Sequence, residues 1–432
     1  MISDRDALEG QRLNRRRVVL AFRDGRARPS LLDEPHPLRA FGGGLAVMIL
    51  VVIGAGISGL LAGGPPDGWN SDGNLVVDDA TGARYVVTDG RLRAVVNDTS
   101  LRLLFGGPGP APIEVPAATV RSASRGAPIG IAEVPFAPPS VVRDALLLAC
   151  SSATGEGKGA VLLAAAAAPD AAGASLLVAS EGRTHLVTEG RAYSIASGNV
   201  ATALGYPAEP QLEVAQSWLA LIPPGPALRS IDVARGGAQG GRPPWTRPGT
   251  LVSERGSGRL FVAQPSGLRP VLNRTTLNLV YGPRVPRPAQ VARAAIRTQR
   301  LGRPLGRAEW PPSPPPATTL PSGGWACADH TGVASVHDGL PTGGLERAGD
   351  LGARETSLWT PRDRGVLIAS ATRPEEANED PIAHLLAQGR SFPVATNEAL
   401  AALGYGDAPV TIVPDDWLAA TPQGPLLEVL EP

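Results

Sequence analysis

The chain has 432 residues, with 40 basic and 40 acidic side chains and a formal net charge of zero. This balance gives no reason to expect a nucleic-acid partner or an acidic substrate, because such partners select for a basic excess. Lys158 is the single lysine, and the richness in arginine, alanine, glycine and proline is typical of a high-GC genome.

The first segment, residues 1–39, is rich in arginine and precedes a long apolar run. The run, residues 40–64, has no charged side chain and is long enough to cross roughly 30 Å of hydrocarbon at about 1.5 Å per residue. Positive residues beside a span stay in the cytoplasm. The pattern therefore predicts one transmembrane helix, with the amino terminus inside and residues 69–432 outside. A cleaved signal peptide, the alternative, would have shorter charged and apolar regions.

Within this run the stretch VVIGAGISGL has the glycine spacing of a dinucleotide-binding loop. The apolar run is too long for a single strand, and paired prolines follow where the helix of a nucleotide fold would continue. We therefore interpret the stretch as membrane helix. Ala55, Gly59 and Gly63 then form a small-residue stripe that could let another helix approach closely. A helix that is merely rich in glycine is the simpler alternative.

The outer part of the chain is internally duplicated. Residues 93–106 match residues 269–282 at an offset of 176, and residues 190–206 match residues 389–405 at an offset of 199. The duplication predicts a β-rich α+β domain with approximate two-fold symmetry, built from compact ββα-like units. The four predicted units lie at about 75–106, 176–228, 260–282 and 365–427, and the predicted central part lies at about 110–160 and 285–335.

Each half contributes one cysteine, Cys150 and Cys327. A pair of thiols outside the cytoplasm is more often a structural disulfide than a catalytic or metal site. Adding the offset of 176 to Cys150 gives a position one residue before Cys327. We therefore predict a bond between them that joins the two halves near their symmetry axis.

Two stretches were candidates for chemistry. The glycine-rich stretch Ser152–Ala160, which contains Lys158, lacks the glycine and the Ser or Thr that a phosphate-binding loop needs, so a solvated loop is favoured. His330 and His337 lie near carboxylates and Cys327, a set that could bind zinc in principle. Their spacing matches no standard metal pattern, and exposed loop residues explain them better. The sequence thus predicts no catalytic, cofactor-binding or metal-binding residue, and no enzyme.

The blocks TGARYVV to VVND and RGAPIG, Arg125–Gly130, carry a resemblance that extends over essentially the whole chain. With the arginine-rich start, the apolar run, the repeats and the cysteine pair, the chain resembles the EccB family, a membrane component of type VII (ESX) secretion systems. The family's usual tryptophan close before the first cysteine is missing here. The resemblance implies a periplasmic domain with a central part and four repeats similar to phage-lysin cell-wall-binding modules.

The resemblance also implies partners. These are the EccC motor ATPase, EccD, EccE and a mycosin protease, with self-association of the chain in a complex that exports small WXG-type proteins. We therefore expect a scaffold subunit in the inner (cell) membrane, with a cytoplasmic amino terminus and a periplasmic outer domain. A membrane-anchored protein that binds peptidoglycan is the alternative. ATP hydrolysis has been suggested for the family, but no residue of this sequence can be assigned to it.

The predicted orientation can be tested with a reporter that is active only outside the cytoplasm. A fusion after Gly64 should give signal, whereas a fusion at Arg39 should give none, because the arginines before residue 40 hold the amino terminus inside. The reverse result would remove the periplasmic assignment of residues 69–432.

Overall fold

The computed structural model describes ten parts of the chain and divides it into two compact units, Met1–Gly68 and Trp69–Pro432. The described parts are residues 4–24, 43–53, 64–152, 160–166, 173–207, 212–236, 243–321, 323–347, 356–371 and 382–431.

The first unit contains the helix α1 (Asp4–Asp24) and a helical stretch at residues 43–53, whose apolar side chains are exposed. In the part that the structure describes, no helix is both long enough and apolar enough to cross a membrane. The stretch 43–53 is only a portion of the predicted span 40–64, which therefore stays a prediction. The predicted packing stripe lies outside the described residues; it consists of Ala55, Gly59 and Gly63.

The second unit contains four small sheets and one six-stranded central sheet. The first sheet and its helices are β1 (Leu75–Asp78), β2 (Arg84–Thr88), β3 (Arg91–Ala94), α2 (Asp98–Phe105), β4 (Ile113–Val115) and α3 (Ala117–Ser122). The next strands are β5 (Ser140–Val141), β6 (Leu146–Ser152) and β7 (Ala160–Ala166). The second sheet and its helices are β8 (Leu176–Ser180), β9 (Arg183–Thr188), β10 (Arg191–Ile195), α4 (Gly198–Leu204), β11 (Leu212–Glu213), α5 (Gln216–Leu219) and β12 (Pro224–Leu228).

The second half of the unit repeats this order. After a 3₁₀ turn at Pro244–Thr246, the third sheet and its helices are β13 (Leu251–Glu254), β14 (Leu260–Gln264), β15 (Gly267–Pro270), α6 (Arg274–Tyr281), β16 (Ala289–Val291) and α7 (Arg293–Arg297). The next strands are β17 (Trp325–Asp329), β18 (Ala334–His337), β19 (Leu345–Arg347) and β20 (Thr356–Pro361). The fourth sheet and its helices are β21 (Arg364–Ser370), β22 (Ala383–Ala387), β23 (Arg390–Pro393), α8 (Asn397–Ala402), β24 (Thr411–Val413) and α9 (Asp415–Ala419).

Each small sheet has three consecutive antiparallel strands, and a later strand pairs in parallel with the first of them. The coarse prediction of a β-rich fold with some helices is confirmed. The detail differs, because each unit adds a closing parallel strand to the predicted ββα pattern. The third sheet also begins at Leu251, one strand before the predicted Leu260, and much of the segment 110–145 belongs to the first sheet rather than to the central one.

A polar side chain caps the helix that follows the third strand in every small sheet. Asn97, Ser197, Asn273 and Thr396 each accept a hydrogen bond from the backbone N–H three residues later. Such caps satisfy one of the free donors at a helix start and are worth about 1 kcal/mol. These local signals fix where each short helix begins, although a helix of this length is not stable without tertiary packing.

The small sheets pack in crossed pairs. Helix α2 of the first sheet contacts α8 of the fourth, and α4 of the second contacts α6 of the third. The backbone N–H of Leu430 donates to Leu103 O at 3.1 Å, and that of Ile231 donates to Leu279 O at the same distance. Each half of the chain is therefore held by the other.

Hydrogen bonds from two tyrosines also join the two halves of the chain. The hydroxyl of Tyr405 donates to Pro139 O, and that of Tyr206 donates to Pro315 O, both at 2.7 Å. Burial raises the pKa of both phenols, so both remain donors at ordinary pH. Because the partners are far apart in sequence, each bond ties a small sheet to a proline-rich segment of the opposite half.

The central sheet has the strand order β18-β17-β6-β7-β20-β19. Strands β6 and β17 come from different halves and pair antiparallel, with Cys150 directly opposite Cys327. The two Sγ atoms are bonded in the structure, and both side chains are fully buried. The bond closes a sequence separation of 177 residues.

The cysteine bond is tested by alkylation. Protein isolated from its own envelope should react at neither Cys150 nor Cys327 until it is reduced. Replacing both by alanine should lower the free energy of unfolding by about 2–5 kcal/mol, because the bond restricts a long loop of the unfolded chain. Thiols that react without reduction would contradict the prediction.

Removing the crossed tyrosine bonds should weaken the second unit. We expect Tyr206→Phe and Tyr405→Phe each to lower the free energy of unfolding by about 1–3 kcal/mol, because each leaves a carbonyl without its donor. Tyr85→Phe is the matched control, because the buried Tyr85 ring packs in the first sheet and the structure gives its hydroxyl no hydrogen bond. Denaturant unfolding would measure all three. Equal losses for control and test variants would show that the crossed bonds contribute nothing.

Candidate functional site

Two tryptophans flank the central sheet. Trp218 on α5 and Trp417 on α9 have 0% and 1% of their surface exposed, and both belong to the core that contains the alanines and leucines of β6, β7 and β17. Their indole N–H groups donate to Ala149 O and Leu221 O, each at 2.8 Å. A buried indole whose donor is satisfied is an anchor of the core. The described residues around the two tryptophans thus form a packed core.

The structure describes both histidines beside the cysteine pair, His330 and His337. His330 packs edge-on against Trp417, with ring centroids 6.5 Å apart, and its Nδ1 is buried without a partner. His337 Nε2 lies 3.0 Å from Ser335 Oγ. Burial lowers the pKa of both histidines, which favours neutral rings. Across the described ranges no group of three or more metal-ligating side chains converges, and the sulfur of Cys327 is already bonded to Cys150.

Asp329, the carboxylate of this stretch, has a local role. Its Oδ1 accepts hydrogen bonds from the backbone N–H groups of Thr331 and Val333, each at 2.9 Å, and from the Thr331 hydroxyl at 2.6 Å. This arrangement builds the tight turn between β17 and β18. The glycine-rich stretch around Lys158 lies outside the described residues, apart from Ser152 at the end of β6 and Ala160 at the start of β7.

A cleft of about 530 Å³ lies between the fourth sheet and the hairpin of β19 and β20. Its wall is charged: Arg390 Nη1 lies 3.0 Å from Glu133 Oε2, and Arg362 pairs with Glu346. The Thr360 hydroxyl on this wall accepts from the Gly389 N–H at 3.0 Å. Two of its three arginines pair with its two glutamates, whereas Arg347 has no ion pair among the described residues. The described lining pairs no nucleophile with a base. The cleft is therefore a charged surface feature.

The region of the third sheet carries a large positive net charge, although the whole chain is neutral. Residues 243–312 contain 12 arginines and two glutamates, a net charge of +10, whereas the matching residues 67–136 contain six arginines and eight acidic residues, a net charge of −2. Five exposed arginines follow one another along α7 and the segment after it. We call this set the arginine stripe: Arg293, Arg297, Arg300, Arg303 and Arg307. Charge counted by segment would have revealed it from the sequence.

The backbone under the arginine stripe is fixed by the sheet. Residues 300–307 run alongside β15 in parallel, through bridges between Leu268 and Leu301 and between Val271 and Leu305. The guanidinium of Arg269 donates from Nε to Arg303 O at 2.8 Å. The stripe is therefore carried by an ordered sheet edge.

Comparisons with known proteins agree with this fold. A family profile for EccB, described as "Type VII secretion system ESX-1, transport TM domain B", matches residues 1–249. The ESX-1 secretion system ATPase EccB1 of Mycolicibacterium smegmatis (strain MKD8) is 31% identical over 219 residues, which are 46% of this chain and 44% of that protein. The ESX-2 secretion system ATPase EccB2 of Mycobacterium tuberculosis (strain ATCC 25618 / H37Rv) is 28% identical over 52% of this chain and 49% of that protein. The chain thus aligns with about half the length of these relatives.

Solved structures resemble most of the chain. A chain of the intact ESX-5 inner membrane complex has a TM-score of 0.63 and 20% identity, covering 99% of this chain and 94% of its own length. The EccB3 dimer from the ESX-3 core complex has a TM-score of 0.60 and 20% identity, covering 82% of this chain and 98% of its own. At 20% identity, the structural similarity shows that this chain shares the fold of these proteins. Because the family profile covers more than half of the sequence, the chain belongs to the EccB family of type VII secretion systems.

Proposed function

We propose that this chain is a structural scaffold subunit of a type VII secretion membrane complex and supports the export of small WXG-type proteins. The observation that carries the proposal is the fold similarity over 99% of the chain to a component of the ESX-5 inner membrane complex, together with the family match. The buried, close-packed core around Trp218 and Trp417 suits a subunit that holds other proteins in position rather than an enzyme that turns over a substrate.

The proposal includes four related units in two halves around a pseudo-two-fold axis. Hydrogen bonds that recur at the offset of 176 support it. Asn97 donates to Ile131 O at 2.9 Å, and its counterpart Asn273 donates to Arg307 O at 3.1 Å. The hydroxyls of Thr99 and Thr275 donate to the carbonyls of residues 135 and 311, both at 2.5 Å. Recurrence of the same long-range bonds at one sequence offset favours copies of one unit over chance similarity.

Two matching glycines, each packed closely against a side chain of the preceding helix, support the same duplication. At Gly130 a Cβ would lie 2.7 Å from Ser100 Oγ, and at the matching Gly306 it would overlap Thr276. Both glycines have positive φ values, 137° and 88°. Each position therefore requires glycine, which explains the block that carries the family resemblance.

For topology we propose that α1 and the arginine-rich segment to residue 39 are cytoplasmic, that residues 40–64 span the membrane once, and that residues 69–432 form the periplasmic domain. The proposed partners are an EccC-type motor ATPase, EccD, EccE and a mycosin protease, with self-association of the chain. The apolar, uncharged composition of residues 40–64 and the arginine excess before it support this topology.

The curated relatives carry the name ATPase. We propose that this chain works by holding partners and hydrolyses no nucleotide. The phosphate-loop pattern is absent from the sequence around Lys158, the sequence's single lysine. His330 packs against Trp417, and His337 lies within hydrogen-bond distance of Ser335, a serine that is fully buried and therefore closed to a substrate.

The scaffold role is tested by co-purification in mild detergent and by secretion of the system's small substrates. Lys158→Ala should leave both unchanged. Replacing Ala55, Gly59 and Gly63 by leucine should keep the chain in the membrane but reduce co-purification of the motor ATPase and the multi-span partners, because bulk on a small-residue stripe prevents close helix approach.

The matched control places leucine at Gly43, Ala46 and Gly54, three small residues off the stripe. Equal loss in control and test variants would mean that the stripe has no special role. If Lys158→Ala abolished secretion while the complex stayed assembled, the scaffold proposal would yield to an enzymatic one. If the parent bound isolated peptidoglycan and brought down no membrane partner, the cell-wall alternative would replace it.

A further inference from the structure

We infer that His185 makes the second sheet the acid-sensitive part of the unit Trp69–Pro432, so that mild acidification loosens its contacts with the central sheet and the third sheet. His185 lies in β9, the middle strand of the second sheet. Its counterpart at the offset of 199 is His384 in β22 of the fourth sheet. The two histidines occupy matching positions but differ in what their ring nitrogens contact.

His185 faces the core between the second sheet and the central sheet. Its direct neighbours are Val178 on β8 and Ser194 on β10, and residues opposite one another on paired strands point to the same face of a sheet. Val178 belongs to the core that also contains side chains of β6, β7 and β17, as does Val187, two residues further along β9. A charge on His185 therefore acts at the contact between these two sheets.

The Nδ1 atom distinguishes the two histidines. His384 Nδ1 lies 3.2 Å from Ser391 Oγ, and a hydroxyl can donate to a neutral ring and accept from a protonated one. The second sheet has Ala192 at the place of Ser391, and His185 Nδ1 is buried without a hydrogen-bond partner among the described residues. Because a protonated ring carries a proton on both nitrogens, it would leave a buried donor without an acceptor.

The ionisable groups on the elements around His185 do not offset this cost. Strand β8 and helix α5 have none, and on β10 Arg191 is exposed and Tyr193 faces the opposite core. The central strands that share the core with β9 are β6, β7, β17, β18 and β20. Their ionisable side chains are Asp329, whose carboxylate is hydrogen-bonded within its own turn, and His337, which has no negative charge.

The direction of the pH effect follows from burial. Burial lowers the pKa of His185 from its ordinary value of 6.5. A hydrogen bond with the Arg183 backbone acts against this shift, and the charge of Arg183 acts with it. When β9 opens, the freed ring takes up a proton more readily than the packed ring. The stability contributed by neutral His185 is therefore complete above about pH 6.5 and is lost as the pH falls below it towards the lowered pKa.

The fold does not require an imidazole at this position. In each small sheet the corresponding residue of the middle strand is a ring opposite an aliphatic residue of the preceding strand. The first sheet has Tyr85 there and the third has Phe261. Only the second and fourth sheets, which pack on the central sheet, have a ring that can take up a proton.

Opening of β9 also affects one of the two crossed pairs of sheets. Leu186, the next residue of β9, faces the opposite core, which contains side chains of α4 and Leu279 of α6. Loss of this support frees the contact between the second and third sheets. The contact of α2 with α8 depends on the fourth sheet, where Ser391 accompanies His384. Acid therefore acts on one crossed pair before the other.

The first test follows the parent, as the full chain in a nonionic detergent, by hydrogen exchange and mass spectrometry. Exchange rates are corrected for their intrinsic pH dependence. Between about pH 7.5 and about pH 5, the protection of β9, β10 and α4 should fall by about threefold or more relative to that of β22, β23 and α8. Equal changes in the two sets, or a larger loss in the fourth sheet, would overturn the inference.

The second test exchanges the residue beside each histidine. Ala192 pairs with Val187 and Ser391 pairs with Leu386, in each case two residues beyond the histidine. Ala192→Ser therefore places a hydroxyl within reach of His185 Nδ1 and should remove most of the acid-induced loss in the second sheet. Ser391→Ala should introduce a comparable loss in the fourth sheet. An unchanged loss in Ala192→Ser would show that the missing partner does not set the acid response, and the inference would be wrong.

The third test removes the titrating ring. His185→Gln should abolish the difference between the two sheets at about pH 5. His330→Gln is the matched control, because His330 Nδ1 is also buried without a partner in the described part of the chain, but its ring packs on Trp417. The control should respond to acid as the parent does. A control that loses the response would assign it to the central sheet and reject the inference. If circular dichroism shows that His185→Gln is unfolded at neutral pH, Ala192→Ser decides the outcome.

Discussion

The second unit of this chain, Trp69–Pro432, depends on cores that neither half completes alone. Leu103 and Val134 from the first half pack into the core of the fourth sheet, and Leu279 and Trp310 from the second half pack into the core of the second sheet. Burial of such side chains contributes about 1.5–3 kcal/mol each. Separating the halves would expose these surfaces on both sides, so the two halves hold each other in place.

The central sheet, like these cores, is built from both halves of the chain. Two strands of the first half, β6 and β7, lie between two pairs of strands from the second half, and the Cys150–Cys327 bond joins β6 to β17. Trp218 fixes the second sheet against this centre by donating to Ala149 O, and Trp417 ties the fourth sheet to the second by donating to Leu221 O. A framework tied in this way keeps the small sheets at defined positions, which is what a subunit needs if its outer surfaces are to organise other proteins.

In the proposed duplication, the two halves keep a similar framework while their surfaces diverge. Core positions retain leucine, valine and tryptophan, because a change of volume inside is costly. Exposed positions are free to change. The third sheet has accumulated arginines where the first has alanine, serine and isoleucine, and the charged cleft with the Glu133–Arg390 pair lies at the fourth sheet. Differences between copies of one unit therefore point to the surfaces that have acquired separate roles.

The sequence determined the local elements of this protein. Its offsets of 176 and 199, its short apolar runs and its polar residues before each helix indicated recurring β-rich units, because strand alternation and helix capping are local effects. The family resemblance could likewise be stated from the motifs alone. The sequence did not indicate the closing parallel strands, because these pair with strands that lie dozens of residues earlier.

Only the tertiary structure decided which segment fills which core. Tyr405 reaches a carbonyl 266 residues away, and Glu133 meets Arg390 across 257 residues. Such partners are selected by packing and burial, which act between surfaces and leave no fixed spacing in the chain. The crossed pairing of the halves, the charged cleft and the exposed edge that carries the arginine stripe all depend on that long-range selection.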